Sequence, residues 1–380
     1  MSRHARSRGL PIDGAERPTA DGWTFPAHDP ATGETLWDVP DGGVPDAHAA
    51  VAAARRAFDG TQWSTDDALR TEAVLRFQAA VAERCDDLAA LMAAETGVPV
   101  ALRAQHLDAP VAAMRDDRQQ EPGVTAVITP ATSPLAVAVE EVGRVLLAGG
   151  TVVLKPAVEA AGAALELGRI GLDILPRGVL NVLTTRDVDV AIALTLDDRV
   201  DEVSFRGSAV AGERVRAVAG RTGKRLRLDT GGAGTVRATD EDLPVVVAAA
   251  ARTVAANAGQ ACRLPASVVV PADRHDEAVR VAVETMSEVV PGDPRDPATL
   301  CGPLRSAVAR DRVRRYVDLA RTEGGVVELG GDAPDRDGWW FAPTVIGGLS
   351  PRSRLVREEV LGPVLMVVAD DQPDVPSARA

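Results

Sequence analysis

GVTAVITPATSPLAVAVEEVGRVLLAGGTVVLKPA, residues 123–157, decides the fold. Residues 124–129 form an apolar run with β-branched side chains, the composition of a buried strand. Ser133-Pro134 follows as N-cap and first helical residue, and the apolar periodicity then runs to a stop at Gly149-Gly150. Residues 151–154 are a second strand of the same kind, ending on Lys155-Pro156. Strand, helix and strand in that order make a βαβ unit with parallel strands.

The pattern repeats downstream. A helix is expected from about Ala160, a strand at 179–183, a helix at 187–196 and a strand at 202–205. Gly207-Ser208 opens another helix, and 225–228 is a fifth strand. Short buried strands alternating with helices predict a doubly wound parallel sheet, which binds ligands at the carboxyl ends of its strands. Upstream, residues 1–46 read as extended segments and turns, with a turn at Asp29-Pro30-Ala31-Thr32-Gly33-Glu34. A helix is expected at about 47–58. Another begins near Ser64, with Asp67 as capping-box partner, and runs to Gly97. Residues 98–122 read as a short helix or loop. Beyond Gly231-Gly232 a second α/β region is expected, with a helix at 242–256, a loop holding Cys262, a strand at 267–270 and a helix from Asp273. The turn-rich stretch 291–303 follows, then a helix at 306–323 and the segment 338–368. The domains so defined are 1–231 and 232–369, followed by a polar tail at 370–380 for which disorder is expected.

Composition bounds the function. The 380 residues carry 42 basic and 55 acidic side chains, a formal net charge of −13, which disfavours nucleic acid or an anionic membrane as partner. The basic start has no apolar core behind it and is not read as a secretory signal, and no apolar run is long enough for a bilayer. Cys85, Cys262 and Cys301 are sparse and lack metal spacing, so free thiols, no metal and a cytoplasmic location are expected. His4 and His106 read as exposed, Cys85 as core and Trp339-Trp340 as packing.

One cysteine stands apart. In Asn257-Ala258-Gly259-Gln260-Ala261-Cys262 a thiol follows a Gly-containing turn, which lets the cysteine's own amide face an incoming carbonyl. Arg263 adds a neighbouring cation that favours the thiolate. Taken alone, Cys262 still reads as a buried structural cysteine. Four further motifs change that reading: Val153-Leu154-Lys155-Pro156-Ala157, Phe205-Arg206-Gly207-Ser208 with Gly212, Leu228-Asp229-Thr230-Gly231-Gly232, and Glu358-Glu359-Val360-Leu361-Gly362-Pro363.

In this order and at these intervals the set resembles the aldehyde dehydrogenase superfamily, over about residues 22–369. The resemblance implies a Rossmann-like cofactor domain, a catalytic cysteine domain, and NAD or NADP as cofactor. It also implies a small aldehyde or acyl substrate. Cys262 would be the nucleophile, and Asp229 stands where the family has a glutamate base. Thr132 stands where an asparagine amide completes the oxyanion hole. Lys155 would bond the adenosine ribose and Glu359 the nicotinamide ribose. Gly207, Ser208 and Gly212 would face the pyrophosphate, with Arg206 and Leu361 near the nicotinamide.

The sequence departs from the pattern at these positions. Pro130-Ala131-Thr132-Ser133-Pro134 replaces Pro-Trp-Asn-Phe-Pro, Asp229 is one methylene short, Arg206 replaces threonine, and Leu361 replaces phenylalanine. Val158 lacks the usual acid, although Glu159 is adjacent. The interval from Gly97 to Gly123 is short, and family elements beyond Ala369 are absent from this sequence. An oligomerisation arm is therefore not expected, leaving a monomer or a non-standard dimer. Three readings stay open: a dehydrogenase of reduced efficiency, a repurposed cysteine enzyme doing acyl transfer, thioester hydrolysis or condensation, and a non-catalytic protein.

Overall fold

The computed structural model describes residues 9–114 and 121–370. Contacts divide the chain into two compact units. One comprises residues 1–29 with 33–230, and the other residues 30–32 with 231–380.

The first unit opens with two antiparallel pairs: β1 (Leu10–Ile12) with β2 (Ala15–Arg17), and β3 (Thr24–His28) with β4 (Thr35–Pro40). Helix α1 (Val44–Gly60) follows. The single helix expected from Ser64 to Gly97 is two helices, α2 (Asp67–Glu83) and α3 (Cys85–Thr96), broken where Arg84 leaves helical geometry. Its cap is Asp66 rather than Ser64. The Asp66 Oδ1 atom accepts the Ala68 and Leu69 amides, both at 3.0 Å, which a serine three residues before the helix cannot reach. Gly97 ends α3 in the left-handed conformation, as expected. The stretch after it contains a 3₁₀ turn (Val100–Leu102), a π turn (Ala104–Asp108) and α4 (Ala109–Ala112). His106 in this segment is buried, against the expectation of exposure, and burial holds its imidazole pKa below the usual range. The expectation for His4 lies outside the described residues, as do those for 1–8, 115–120 and 371–380.

The parallel sheet consists of β5 (Val124–Ile128), β6 (Thr151–Lys155), β7 (Leu180–Val182), β8 (Glu202–Gly207) and β9 (Arg225–Thr230), in spatial order β7-β6-β5-β8-β9. Helices α5 (Pro134–Leu147), α6 (Ala161–Leu172), α7 (Val188–Leu196) and α8 (Ala209–Ala219) make the crossovers. Strands β5 and β7 are buried throughout, and apart from Thr125 and Asn181 their side chains are apolar rather than alternating. The chain winds from β5 out to β7, then returns to β8 on the other side of β5. The carboxyl ends of β5 and β8 therefore flank the point where strand order reverses, the place where such sheets bind ligands. Ser133 occupies the N-cap position of α5 but makes no side-chain capping bond, whereas Ser208 Oγ accepts the Ala211 amide (3.3 Å) at the start of α8.

The second unit holds a mixed sheet in the order β10-β11-β14-β13-β12. Its strands are β10 (Thr235–Arg237), β11 (Ser267–Pro271), β12 (Val326–Leu329), β13 (Thr344–Gly347) and β14 (Val364–Asp370), and only the edge strand β12 runs antiparallel to its neighbour. Helices α9 (Leu243–Ala255) and α10 (His275–Ser287) bury Val247, Ala251, Ala278 and Ala282 with Val268 and Val367 of the sheet. Helix α11 (Ala307–Thr322) packs Val313 and Val317 with Leu355 of α12 (Arg354–Arg357) and Met366. Residues 30–32 belong here because the Trp339 amide donates to Pro30 O (2.8 Å) and Trp340 Nε1 to Ala31 O (3.0 Å). Trp340 is buried, consistent with a packing role. Asp370, read as the first residue of the tail, instead ends β14 and pairs with Arg237. Among the described residues no helix is long and apolar enough to cross a membrane.

Candidate active site

In the first unit, four strand ends carry the polar groups. Thr132 lies buried in the loop between β5 and α5. Lys155 closes β6. Its Nζ donates to Pro156 O (3.2 Å), and burial lowers its pKa while Glu159 opposes that shift. A half-buried ammonium beside a backbone carbonyl suits a neutral, hydroxyl-rich ligand such as a ribose. Beyond β8, Gly207 and Ser208 lead into α8, whose first-turn amides lack partners within the helix and face away from it. A Cβ on Gly212 would stand 2.3 Å from Thr230 Cγ2, so only glycine lets α8 lie this close to β9. A helix start brought against the strand ends in this way suits a pyrophosphate. These residues fit a dinucleotide.

Arg206 and Asp229 meet. Register pairs them across β8 and β9, and Arg206 Nε lies 2.9 Å from Asp229 Oδ2. The approach is an ion pair without a well-aligned hydrogen bond, since the buried Nε–H finds no acceptor in good geometry. On the other side, Arg206 Nη1 donates to Glu140 Oε2 of α5 (2.9 Å). This is the last rung of a ladder of charge between α5 and the two strands. Below it, Arg144 contacts Glu141 (2.8 Å) and Glu202 (2.9 Å), Ser204 Oγ donates to Glu141 (2.8 Å), and Arg225 reaches Glu202 (3.4 Å). Glu140 does not stand out in the sequence as part of the site. Its signal was the position of an acid on the helix after β5, legible only once β8 and β9 are aligned.

In the second unit, the chain from Ala256 to Arg263 bears Cys262. Asn257, Ala258 and Gly259 all have positive φ (50°, 50° and 66°), three successive left-handed residues of which two are not glycine. The turn is held by Asn257 Nδ2 donating to Gln260 O (2.9 Å). Gln260 Nε2 in turn donates to Pro303 O (3.1 Å), and Gln260 Oε1 accepts the Arg305 amide (2.9 Å). A Cβ on Gly259 would fall 1.9 Å from Gly362 O, so the loop is pressed onto the chain just after Leu361. Leu361 is itself left-handed, with φ 57°. Two residues earlier, the Glu359 Oε1 atom accepts the amide of Arg263 (3.4 Å). Burial pushes the Glu359 carboxyl pKa up, against the Arg263 and Gly232 amides and the charges of Arg312 and Arg263, which pull it down. Cys262, Glu359 and Leu361 thus belong to one local assembly. Cys262 is half-buried, while Cys85 and Cys301 are buried.

Two overlapping matches to the model of the aldehyde dehydrogenase family cover residues 18–116 and 113–374. The chain belongs to the aldehyde dehydrogenase family. It is an oxidoreductase of aldehyde dehydrogenase type. An aminoacetaldehyde dehydrogenase of Pseudomonas aeruginosa is 33% identical over 97% of this chain and 80% of its own length. Among solved structures, aldehyde dehydrogenase C of Pseudomonas syringae, as a mutant complexed with NAD+ and octanal, superposes with a TM-score of 0.92 at 29% identity. That match covers 98% of this chain and 81% of the other. Betaine aldehyde dehydrogenase of Staphylococcus aureus, in complex with NAD+, gives 0.91 at 26% identity, covering 96% and 78%.

Proposed function

We infer that this aldehyde dehydrogenase oxidises a small aldehyde to the carboxylic acid through a covalent adduct on Cys262. The observation that carries the reading is the strained, cross-braced cysteine loop seated against Gly362 beside Glu359. Strain of this kind is maintained where a side chain must be presented in one orientation. The Cys262 thiolate adds to the carbonyl, giving a thiohemiacetal. NAD or NADP, when bound, accepts the hydride of that adduct. Lys155 and Glu359 would hold its two riboses, and Gly207, Ser208 and Gly212 would form the turn for its pyrophosphate. Leu361 and Arg206 would lie on the side of its nicotinamide. Thr132 offers a hydroxyl where an amide donor is usual. Asp229 takes the proton of the water that hydrolyses the thioester, and the thiolate is released.

On this reading the first unit is the cofactor-binding domain and the second the catalytic one. The short interval from Gly97 to Gly123 supports a monomer, or a dimer formed without arm exchange. Three cysteines outside any disulfide and a net charge of −13 support a cytoplasmic protein with small-molecule partners, neither nucleic acid nor membrane. A second reading, acyl transfer from Cys262 to an acceptor other than water, is favoured by the Arg206–Asp229 pair, which engages the base. Turnover of an aldehyde panel with NAD and NADP, monitored for reduced cofactor, tests the proposal. Reduced cofactor and carboxylate in equal amounts are expected. With an activated acyl donor in place of the aldehyde, transfer of the acyl group from Cys262 to an added acceptor rather than to water would support the second reading.

A further inference from the structure

The ladder between α5 and the β8/β9 edge ends where chemistry is expected. Its lower rungs lie deep in the unit: Glu141 and Glu202 are buried, and their pairing with Arg144 satisfies them as a structural network. The top rung differs. Arg206, Glu140 and Asp229 are partly open to solvent, with side-chain exposures of 25%, 43% and 37%. One guanidinium there is shared by two carboxylates, so the group as a whole carries an excess negative charge. That makes Arg206 a poor receptor for an anionic ligand, since its cation is already compensated on both sides. The pairing instead acts on Asp229. Their register on adjacent parallel strands puts both side chains on one face of the sheet, and the backbone fixes the approach.

We propose that Arg206 is a positioning residue that clamps Asp229, so that hydrolysis of the Cys262 thioester waits on release of this ion pair. The inference rests on the assignment of Cys262 and Asp229 given above. While clamped, an Asp229 oxygen faces the guanidinium rather than a water. When Arg206 swings to Glu140 alone, that oxygen becomes available to accept a proton. Glu140 is therefore the resting partner that lets the clamp open without stranding a cation. Exposed ion pairs weaken with ionic strength, so the hydrolytic step speeds up with salt.

An activated ester isolates this step without cofactor. The Cys262 thiolate attacks the carbonyl carbon of p-nitrophenyl acetate, the ester C–O bond breaks, and p-nitrophenolate leaves in a burst. Water then adds to the acetyl thioester while Asp229 takes its proton. The C–S bond breaks, acetate departs, and the proton passes from Asp229 to solvent. In full-length parent and Arg206→Thr protein the burst reports acylation of Cys262, and the slow phase after it reports hydrolysis. The slow phase should rise about tenfold in the variant, a part of what a positioned base contributes. Raising sodium chloride from low to high concentration should speed the slow phase of the parent and leave that of Arg206→Thr flat. Arg206→Lys, which keeps a cation at the strand end, should stay near the parent rate. Equal slow phases in parent and Arg206→Thr would overturn the clamp. Absence of any burst would instead overturn the Cys262 assignment. In that case the side-chain Nε resonance of Arg206, identified by its loss in Arg206→Thr, decides the clamp separately. It should move in Asp229→Asn, and an unmoved resonance contradicts the pair.

Discussion

Burial separates the three thiols. The Cys85 pKa is pushed up to about 11, chiefly by burial and then by Asp108, and that of Cys301 to about 12 by burial. Neither supplies thiolate near neutral pH, and only thiolate reacts. Iodoacetamide should therefore label half-buried Cys262 first, and equal labelling of Cys85 would refute its assignment. Thr132 is the second residue with a measurable consequence. An oxyanion donor is worth about 10²–10³ in rate, so Thr132→Asn should raise the acylation rate by roughly tenfold or more if the amide reaches the adduct. Stopped-flow formation of the first adduct reads this, and an unchanged rate shows that the loop at 130–133 holds the side chain elsewhere. At this scale the sequence was informative about residue types and silent about their pairing. Arg206 was legible as an anomaly. That it reaches both Asp229 and Glu140 depends on strand register, which no spacing along the chain reveals.

Among the elements, strands β5 to β8 were read closely because their residues are largely buried, so composition marks them, whereas the edge strand β9 shows instead as an Arg–Leu alternation. The helix from Ser64 to Gly97 was misread because apolar spacing continues across Arg84 while the backbone does not. Asp66 is the true cap, and Asp66→Ala should destabilise α2 by about 1 kcal/mol in urea unfolding. Helix α6 offers a pH test. Glu95 is buried and accepts the amides of Gly162 and Ala163, both at 2.8 Å, just past the start of α6. Burial pushes its carboxyl pKa up to about 8 from an ordinary 4.5, against the pull of those two amides. The folded protein thus holds a proton that the unfolded chain releases at lower pH. The stability linked to that proton is complete below about pH 4.5 and is lost as pH rises through about 8. Glu95→Gln cannot titrate there, so its unfolding free energy should fall less than that of the parent between pH 5 and 9. Parallel curves would show that Glu95 is already ionised at neutral pH.

For the whole molecule, the ordered set of motifs carried more information than any one of them. Lys155, the turn at Gly207-Ser208, Asp229, Cys262 and Glu359 are separated by long stretches, and only their sequence of intervals pointed to the family that the chain proves to belong to. The substrate was not legible, because the side chains that shape a substrate pocket follow no spacing rule. Lys155→Ala and Glu359→Ala should each weaken NAD or NADP binding in calorimetry while leaving the unfolding transition in place. Unchanged affinity in both would remove them from the cofactor site. Whether Cys262 carries aldehyde oxidation is read by rapid mixing of the protein with NAD or NADP and excess aldehyde, following reduced cofactor at early times. A burst equal to the concentration of Cys262, followed by a slower steady rate, is expected from the parent, and no burst from Cys262→Ser. A burst that survives Cys262→Ser, or no reduced cofactor from the parent with any aldehyde, would contradict this role of Cys262.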